Sequence, residues 1–477
     1  MEQRPNIILF MTDQLRRDAL GCYGNEICQT PNLDKLATQG ACFENAFTTS
    51  PVCSPSRASL MTGLYPHNNG VMLNTHIAPA WNRGLSPDKQ TFSAILKQAG
   101  YVTDYVGKWH VNQDIGPEEF GFDRYENPAG KRELISGTET AVNFADGTAH
   151  VVAATNGCAP DETSLVVKTR RGIEMMRERA QDDAPFFLRV DVTEPHHANI
   201  PPEPYASMYN PQDIPPWDNF PDDFTGKPDG HLRKSEEWGL VGKEWGWWRE
   251  VVAKYYGDVT HIDTCVGEML NEIEALGIAD NTIFIFSTDH GDATGSHNHF
   301  EKGGTMYDEV YRIPLLVKGP SQWIIPGKID SFVRLLDLMP TFVEWSGGQL
   351  ATPIDGKSLS PLMLGETVSD WPDSVYCESH GEVWGYFSQR MVRTKRWKYV
   401  YAAHTKDELY DLQVDPAELN NLIDDPAFVD VLSEMKARLL GWNDATNDMF
   451  QWRWVRQNFP EPLAPDGANA QNAPLTA

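Results

Sequence analysis

The run Cys53-Ser54-Pro55-Ser56-Arg57 places a thiol just ahead of a helix start, with an arginine one turn in. Free N–H groups and the macrodipole at a helix N-terminus favour an anion at that spot, and Arg57 can point back towards it. A cysteine is most often a small buried hydrophobe, but this context marks position 53 as an anion site. Four further polar clusters each follow an apolar run: Thr12-Asp13-Gln14, Gly107-Lys108-Trp109-His110, Glu194-Pro195-His196-His197 and Asp289-His290-Gly291-Asp292. Each would therefore sit at the carboxyl end of a strand. In open α/β sheets that edge is where ligands bind, so groups far apart in the chain can converge on one site.

The elements that must position these groups are legible in outline. Apolar runs at 7–11, 102–106, 185–191, 282–287 and 314–317 read as strands alternating with helical patterns, which predicts an α/β sheet with crossover helices. One helix has Thr30 as N-cap, Pro31 at its first position and Gly40 past its end. A second runs over 55–62, capped by Ser54 and closed by Gly63. The stretch 197–250 is rich in Pro, Asp and Trp and reads as a long surface excursion. Its Trp217, Trp238, Trp245, Trp247 and Trp248 could stack on a sugar or aryl group, or pack the excursion onto the body. After about residue 368 the pattern changes to short strands at 374–378, 390–394 and 397–402 and a helix at 427–441. The predicted architecture is α/β: a large mixed β-sheet sandwiched by helices over 1–368, a smaller C-terminal α+β subdomain over 369–445, and an aromatic-rich, partly disordered tail over 446–477.

The 477 residues carry 40 Lys+Arg against 67 Asp+Glu, a net charge of −27. That argues against a nucleic-acid partner, which demands a basic face, and against an anionic membrane surface. No apolar run reaches the roughly 18–20 residues of a bilayer span, and the N-terminal run is too short for a signal segment. The seven cysteines are odd in number and contain no CxxC pair, so neither a disulfide framework nor a zinc knuckle is expected. A cytoplasmic setting is the expectation. A homodimer is also expected, through Trp442, Phe450, Trp452 and Trp454.

The Cys53–Arg57 run resembles the Cys-x-Pro-Ser-Arg motif of sulfatases of the alkaline phosphatase superfamily, where it directs oxidation of the Cys to formylglycine. The likeness continues at Gly100-Tyr101-Val102-Thr103, at the clusters ending in His110 and Asp292, and at Lys302-Gly303. It reappears at Asp355-Gly356-Lys357-Ser358-Leu359 and Glu408-Leu409-Tyr410-Asp411-Leu412. The resemblance implies an alkaline phosphatase-like fold and a sulfuric ester hydrolase, with a formylglycine-generating enzyme as maturation partner. Asp13 and Asp289 would be carboxylate ligands of a divalent cation, with Gln14, His290 and the hydrated aldehyde at Cys53 completing the shell. Many sulfatases carry Asp where this chain has Gln14 and Asn where it has His290, which leaves a less anionic site here. Calcium is what the family implies; a His ligand also suits manganese or zinc.

The metal, Arg57, Lys108 and Lys302 would neutralise the sulfate oxygens. The resemblance further implies that one hydroxyl of the aldehyde hydrate attacks sulfur, and that the other, helped by His110, releases sulfate. His196 and Lys302 are candidates to stabilise or protonate the leaving oxygen. Asn74 would contact substrate or cap a loop, and His297 and His299 read as ordinary loop residues rather than a metal pair. The substrate expected is a small sulfate monoester. Beside the arylsulfatase-like reading stand a phosphonate monoester or phosphodiester hydrolase, a carbohydrate sulfatase, and a binding protein that kept the pocket. The processing motif speaks against the last.

Overall fold

Strand β1 (Asn6–Asp13) sends Ile7, Leu9 and Met11 into one hydrophobic cluster and Ile8 and Phe10 into another. Side chains alternate across a strand, so a strand buried on both faces reads as an unbroken apolar run. The computed structural model describes residues 4–77, 83–381, 387–448, 456–457 and 459–466.

The main sheet has nine strands. After β1 come β2 (Ala41–Phe47), β3 (Val102–Gly107), β4 (Arg124–Glu126) and β5 (Phe186–Pro195). Then follow β6 (Thr282–Thr288), β7 (Arg312–Ile313), β8 (Leu315–Lys318) and β9 (Gly327–Arg334). Their order is β9-β2-β8-β6-β1-β5-β3-β4, with the short β7 paired to β2. Strands β6, β1, β5 and β3 are adjacent and parallel, whereas β8 runs antiparallel to both neighbours, so the sheet is mixed.

Helices cover both faces. On the Ile8 side, α1 (Pro31–Gln39) brings Leu33 and Leu36, α5 (Ser164–Arg179) brings Leu165 and Met176, and α7 (Trp245–Ala275) brings Val252 and Ile262. On the Ile7 side, α2 (Cys53–Thr62) brings Leu60 and Met61, α4 (Phe92–Gln98) brings Phe92 and Leu96, and α8 (Leu338–Ser346) brings Met339 and Phe342. A second, antiparallel sheet runs β10 (Ser374–Ser379), β11 (Gln389–Thr394), β12 (Trp397–Ala402), β13 (Glu408–Asp411). Helix α9 (Val429–Thr446) packs Met435, Leu439 and Trp442 against its Tyr376, Val392, Tyr399 and Leu409. Strands β2, β4, β7, β9 and β13 were not among the strands expected from the sequence.

Several expectations change. Helix α2 begins at Cys53 itself, with Val52 at the N-cap. Ser54 lies inside the first turn, and its Oγ accepts from the Thr75 N–H at 3.1 Å rather than capping the helix. Pro55 is tolerated there because first-turn N–H groups have no helical acceptor. The tryptophans of 197–250 pack that segment onto the body. Trp248 is fully buried and Trp238 nearly so, in a cluster with Val142, Val152 and Phe300. Trp247 stands edge-on to Trp248, Trp245 opens α7, and Trp217 lies 3.8 Å from the Arg16 guanidinium.

Trp442 is not an interface residue of an exposed patch: it is 2% exposed and donates to Ser374 Oγ at 3.0 Å. Phe450, Trp452 and Trp454 lie outside the described residues. Part of the tail is docked rather than loose. Leu463 donates its N–H to the Ala437 carbonyl at 2.9 Å, and a Cβ on Gly441 would meet the Leu463 carbonyl oxygen at 1.7 Å, so only glycine admits that approach. Among the described residues no helix is long and apolar enough to cross a membrane.

Candidate active site

Strand register gathers the four polar clusters. Thr12 pairs with Thr288 across β1 and β6, so Asp13 and Asp289 leave the sheet side by side. Gly107 of β3 pairs with Asp191 of β5. Its φ is 108°, and a Cβ there would lie 1.8 Å from the Asp191 carbonyl oxygen, so a glycine is required to turn the chain towards Lys108. The His196 cluster follows β5. All four clusters thus end adjacent parallel strands.

Cys53 Sγ lies 3.3 Å from His290 Nε2 and 3.6 Å from Asp13 Oδ1. One ligand atom from each of Asp13, Cys53, Asp289 and His290 falls within 4.8 Å of the other three, and all four residues are buried. Against its burial, Lys108 and Arg57 pull the Asp13 carboxyl down to about 2, while burial beside Asp13 pushes Asp289 up. Against burial, Asp289 and Cys53 push His290 up to about 9. Two carboxylates, an imidazole and position 53 in one buried cradle form a hard-to-borderline donor set that fits a divalent cation.

Gln14 sits beside this cluster with its amide already engaged. Its Oε1 accepts from Lys302 Nζ at 2.8 Å and its Nε2 donates to Asp292 Oδ2 at 2.8 Å. Its backbone N–H donates to Asp289 Oδ1 at 3.1 Å. The side chain expected as a metal ligand therefore joins the cluster to Lys302.

Arg57 is also placed differently from expectation. Its Nε donates to Asp289 Oδ2 at 2.8 Å, its Nη1 to Asp191 Oδ2 at 2.6 Å, and its Nη2 to Asp13 Oδ2 at 3.4 Å. It is wholly buried and neutralises carboxylates rather than facing an open pocket. Lys108 Nζ bonds Asp13 Oδ2 and keeps 19% side-chain exposure. Against burial, Lys108, Lys302 and His290 hold the Cys53 thiol well below its usual range, and His110 adds to the effect.

His196 Nε2 is 2.8 Å from Lys302 Nζ, and its Nδ1 is 2.9 Å from the His197 carbonyl. An ammonium only donates and a carbonyl only accepts. The network therefore assigns His196 the neutral tautomer with its proton on Nδ1. His110 Nε2 lies 3.1 Å from His76 Nδ1, and its own Nδ1 is buried without a hydrogen-bond partner. Asn74 Oδ1 accepts the Ser54 N–H at 3.0 Å, holding the start of α2. His297 and His299 are not loop residues in water: both are fully buried. His297 Nδ1 is 2.7 Å from Asp222 Oδ2 and His299 Nδ1 is 3.2 Å from Ser235 Oγ, so they hold the 197–250 segment against the loop that carries Lys302.

Three residues of the site were not anticipated: Asp191, His76 and Glu301. Asp191 had a signal, since a carboxylate inside a buried strand must be paired; it meets Arg57 and also Arg189 at 2.7 Å. His76 and Glu301 lie in irregular segments where no pattern of residue types marks them. Gln14, His110 and Glu301 have φ of 65°, 53° and 65°. That left-handed conformation is strained for non-glycine residues, and such strain gathers at functional sites.

Residues 5–348 match the family model described as Sulfatase. The chain belongs to the sulfatase family. Residues 295–445 of this sulfatase also match the C-terminal model of N-sulphoglucosamine sulphohydrolase. It is 32% identical to an arylsulfatase of Clostridium perfringens (strain 13 / Type A), over 92% of this chain and 96% of that protein. Its fold matches the solved structure of BT4656 in complex with its substrate D-glucosamine-2-N,6-O-disulfate, with a TM-score of 0.77 and 24% identity. That match covers 94% of this chain and 99% of the other. A phosphonate monoester hydrolase of Agrobacterium radiobacter matches with a TM-score of 0.75 and 23% identity, over 90% and 93% of the two chains. The protein is thus a sulfatase enzyme of alkaline phosphatase-like fold.

Proposed function

We propose that this sulfatase hydrolyses a small sulfate monoester, using formylglycine made from Cys53 and one divalent metal held by Asp13, Asp289, His290 and the residue-53 side chain. The observation that carries the reading is Cys53 at the first position of α2 with its Sγ inside the Asp13–Asp289–His290 cluster. When bound, the metal would supply Lewis acidity and formylglycine a nucleophilic hydroxyl. Two carboxylates favour calcium, and His290 admits manganese. A formylglycine-generating enzyme is the maturation partner this requires. The free thiols at all seven cysteines support a reducing, cytoplasmic setting.

The chain's own groups do the remaining work. Lys108 and Lys302 present cations to the sulfate oxygens in a preorganised site. Arg57 holds Asp13 and Asp289 apart as ionised ligands. His110, beside position 53, is the base for a proton at that position. His196 and Lys302, with Nε2 and Nζ 2.8 Å apart, are the pair that would stabilise or protonate the leaving oxygen. Asn74 keeps the start of α2 in place. Self-association as a dimer would use Phe450, Trp452 and Trp454, which light scattering on a Trp452→Ser, Trp454→Ser chain tests.

Gln14 and His290 at the metal edge favour one second reading, a phosphonate monoester hydrolase, since a less anionic cluster tolerates a different tetrahedral centre. Turnover of p-nitrophenyl sulfate against p-nitrophenyl phenylphosphonate separates them. A higher kcat/KM on the phosphonate would overturn the sulfatase preference.

A further inference from the structure

The short turn Gly21–Tyr23 lies against strand β2. The Tyr23 hydroxyl is 3.1 Å from the Phe43 carbonyl and 3.3 Å from the Leu315 carbonyl, and the neighbouring Leu316 is the residue paired with Cys42. This docking brings residue 22 over residue 42. Side chains alternate across a strand. Ala41 and Phe43 enter the cluster on the Ile7 face, whereas Cys42 enters the one on the Ile8 face, and Cys22 packs against that same cluster. The two thiols are hydrogen-bonded to each other.

This pair stands apart from the other cysteines and from the active site. Cys28, Cys158 and Cys377 turn their Sγ to the carbonyls of Tyr256, Lys131 and Thr48 at 3.8, 3.6 and 3.3 Å, and Cys53 belongs to the metal cluster. Of the seven, Cys22 is the one not buried, so a reagent in solution meets it first. Strand β2 is antiparallel to β8, and β8 to β6, so β2 runs in the same direction as β6 and β1. Cys42, near the start of β2, therefore lies towards the amino edge of the sheet, away from the carboxyl edge that carries Asp13 and Asp289. The hydrogen bond from Cys22, aided by Tyr23 and Lys328, brings the Cys42 thiol down to about 7 against its burial. A thiol that ionises near neutral pH is well placed for exchange with a disulfide.

We propose that Cys22 and Cys42 form a dithiol modification site, at which a low-molecular-weight disulfide such as oxidised glutathione turns the two thiols into one intramolecular disulfide. The accessible Cys22 Sγ, its proton passed along the hydrogen bond to Cys42, attacks one glutathione sulfur. The S–S bond of the reagent breaks, one glutathione thiolate departs and a mixed disulfide remains on Cys22. Cys42, already beside it, gives up its proton and attacks Cys22 Sγ, releasing the second glutathione. Two protein thiols are oxidised, one external disulfide is reduced, and the two protons leave with the two glutathione thiols. An excess of dithiothreitol drives the exchange backwards. The new bond closes a loop that contains the whole of α1, which restricts the unfolded chain and stabilises the fold.

Peptide mapping without reductant tests this on the full Cys53→Ala chain, which lacks the reactive thiol of the active site. Oxidised glutathione should give the Cys22–Cys42 cross-link, and dithiothreitol should return both thiols. Adding Cys42→Ser should stop the reaction at a lasting glutathione adduct on Cys22, whereas adding Cys22→Ser should leave neither adduct nor cross-link. The cross-linked chain should melt a few degrees above the reduced one. Phenylarsine oxide, which bridges two adjacent thiols, gives a second reading that needs no change at residues 22 or 42. Bound before unfolding, with the excess removed, it should shield Cys22 and Cys42 together from iodoacetamide in urea. A glutathione adduct that persists on Cys22 with Cys42 intact, a cross-link to any other cysteine, shielding of only one of the two, or no reaction with either reagent overturns the proposal.

Discussion

Arg57 Nε donates to Asp289 Oδ2 at 2.8 Å with both side chains fully buried, and the same guanidinium reaches Asp191 and Asp13. One planar fork thus holds three carboxylates. Arg57→Leu would leave them facing one another without a cation, and breaking such a buried network costs about 3–5 kcal/mol. Arg57→Lys should recover little, because a point charge cannot bridge three acceptors. Urea unfolding measures both. A leucine variant as stable as the parent would show that the carboxylates are neutralised elsewhere.

Cys53 is expected to carry an aldehyde in place of its thiol whenever the maturation enzyme is co-expressed. Mass spectrometry of the peptide spanning residue 53 reads this directly. Cys53→Ala should lower turnover by about a thousandfold or more while leaving the melting temperature close to that of the parent. Unmodified thiol in fully active enzyme would sink the assignment.

Asp289→Ala should remove metal and activity together, because it deletes one of two carboxylates in the Asp13–Cys53–Asp289–His290 cluster. Metal analysis of the purified variant decides it, and full occupancy would be the contrary result. A chelator should inactivate the parent enzyme, and restoration by calcium or by manganese identifies the ion.

Helix α3 (Pro66–Asn69) ties the main sheet to the C-terminal one through His67. Its Nδ1 is 2.6 Å from Glu378 Oε2 and its Nε2 is 3.0 Å from the Thr446 carbonyl. Against burial, Glu378 pushes His67 up to about 9 from 6.5. The folded value lies above the unfolded one, so its stabilisation is complete below about pH 6.5 and is lost as pH rises through about 9. The effect is on the order of 3–4 kcal/mol. Urea midpoints across that window should fall for the parent and stay flatter for His67→Gln. Parallel curves for the two chains would contradict the linkage.

The net charge of −27 sets up a field that slows polyanions more than singly charged esters. The Debye length shrinks from about 10 Å at 0.1 M salt to about 3 Å at 1 M. The rate on a polysulfated oligosaccharide relative to an aryl sulfate should therefore rise with salt. A ratio that is highest at low salt would reveal a local basic groove that overrides the net charge.

Much of this molecule was legible from its residues because the relevant physics is local. An unbroken apolar run such as Ile8-Leu9-Phe10 is what a strand buried on both faces needs. Polar residues at the ends of such runs lie on the sheet's carboxyl edge, which is how Asp13, Lys108, His196 and Asp289 could be grouped before any distance was known. Proline at a helix start and the Cys53–Arg57 spacing are likewise chemistry within one or two turns.

What local pattern could not settle depends on who meets whom across the fold. Arg57 could have faced a substrate; only the Thr12–Thr288 register, which sets Asp13 beside Asp289, turns it into a clamp on carboxylates. Gln14 reads as a metal ligand in the chain, and only the fold brings Lys302 onto its Oε1 as well. The tautomer of His196 follows from having an ammonium on one nitrogen and a carbonyl on the other, and those two partners lie in different segments. Trp442 reads as a sticky surface aromatic in the chain and is core once Ser374 and Tyr376 close over it. Glu301 has no signature at all, because its contact with Lys302 lies in an irregular segment that no residue pattern marks. Residue type sets what a group can do, whereas its partners, its burial and the field around it exist only after distant segments have packed.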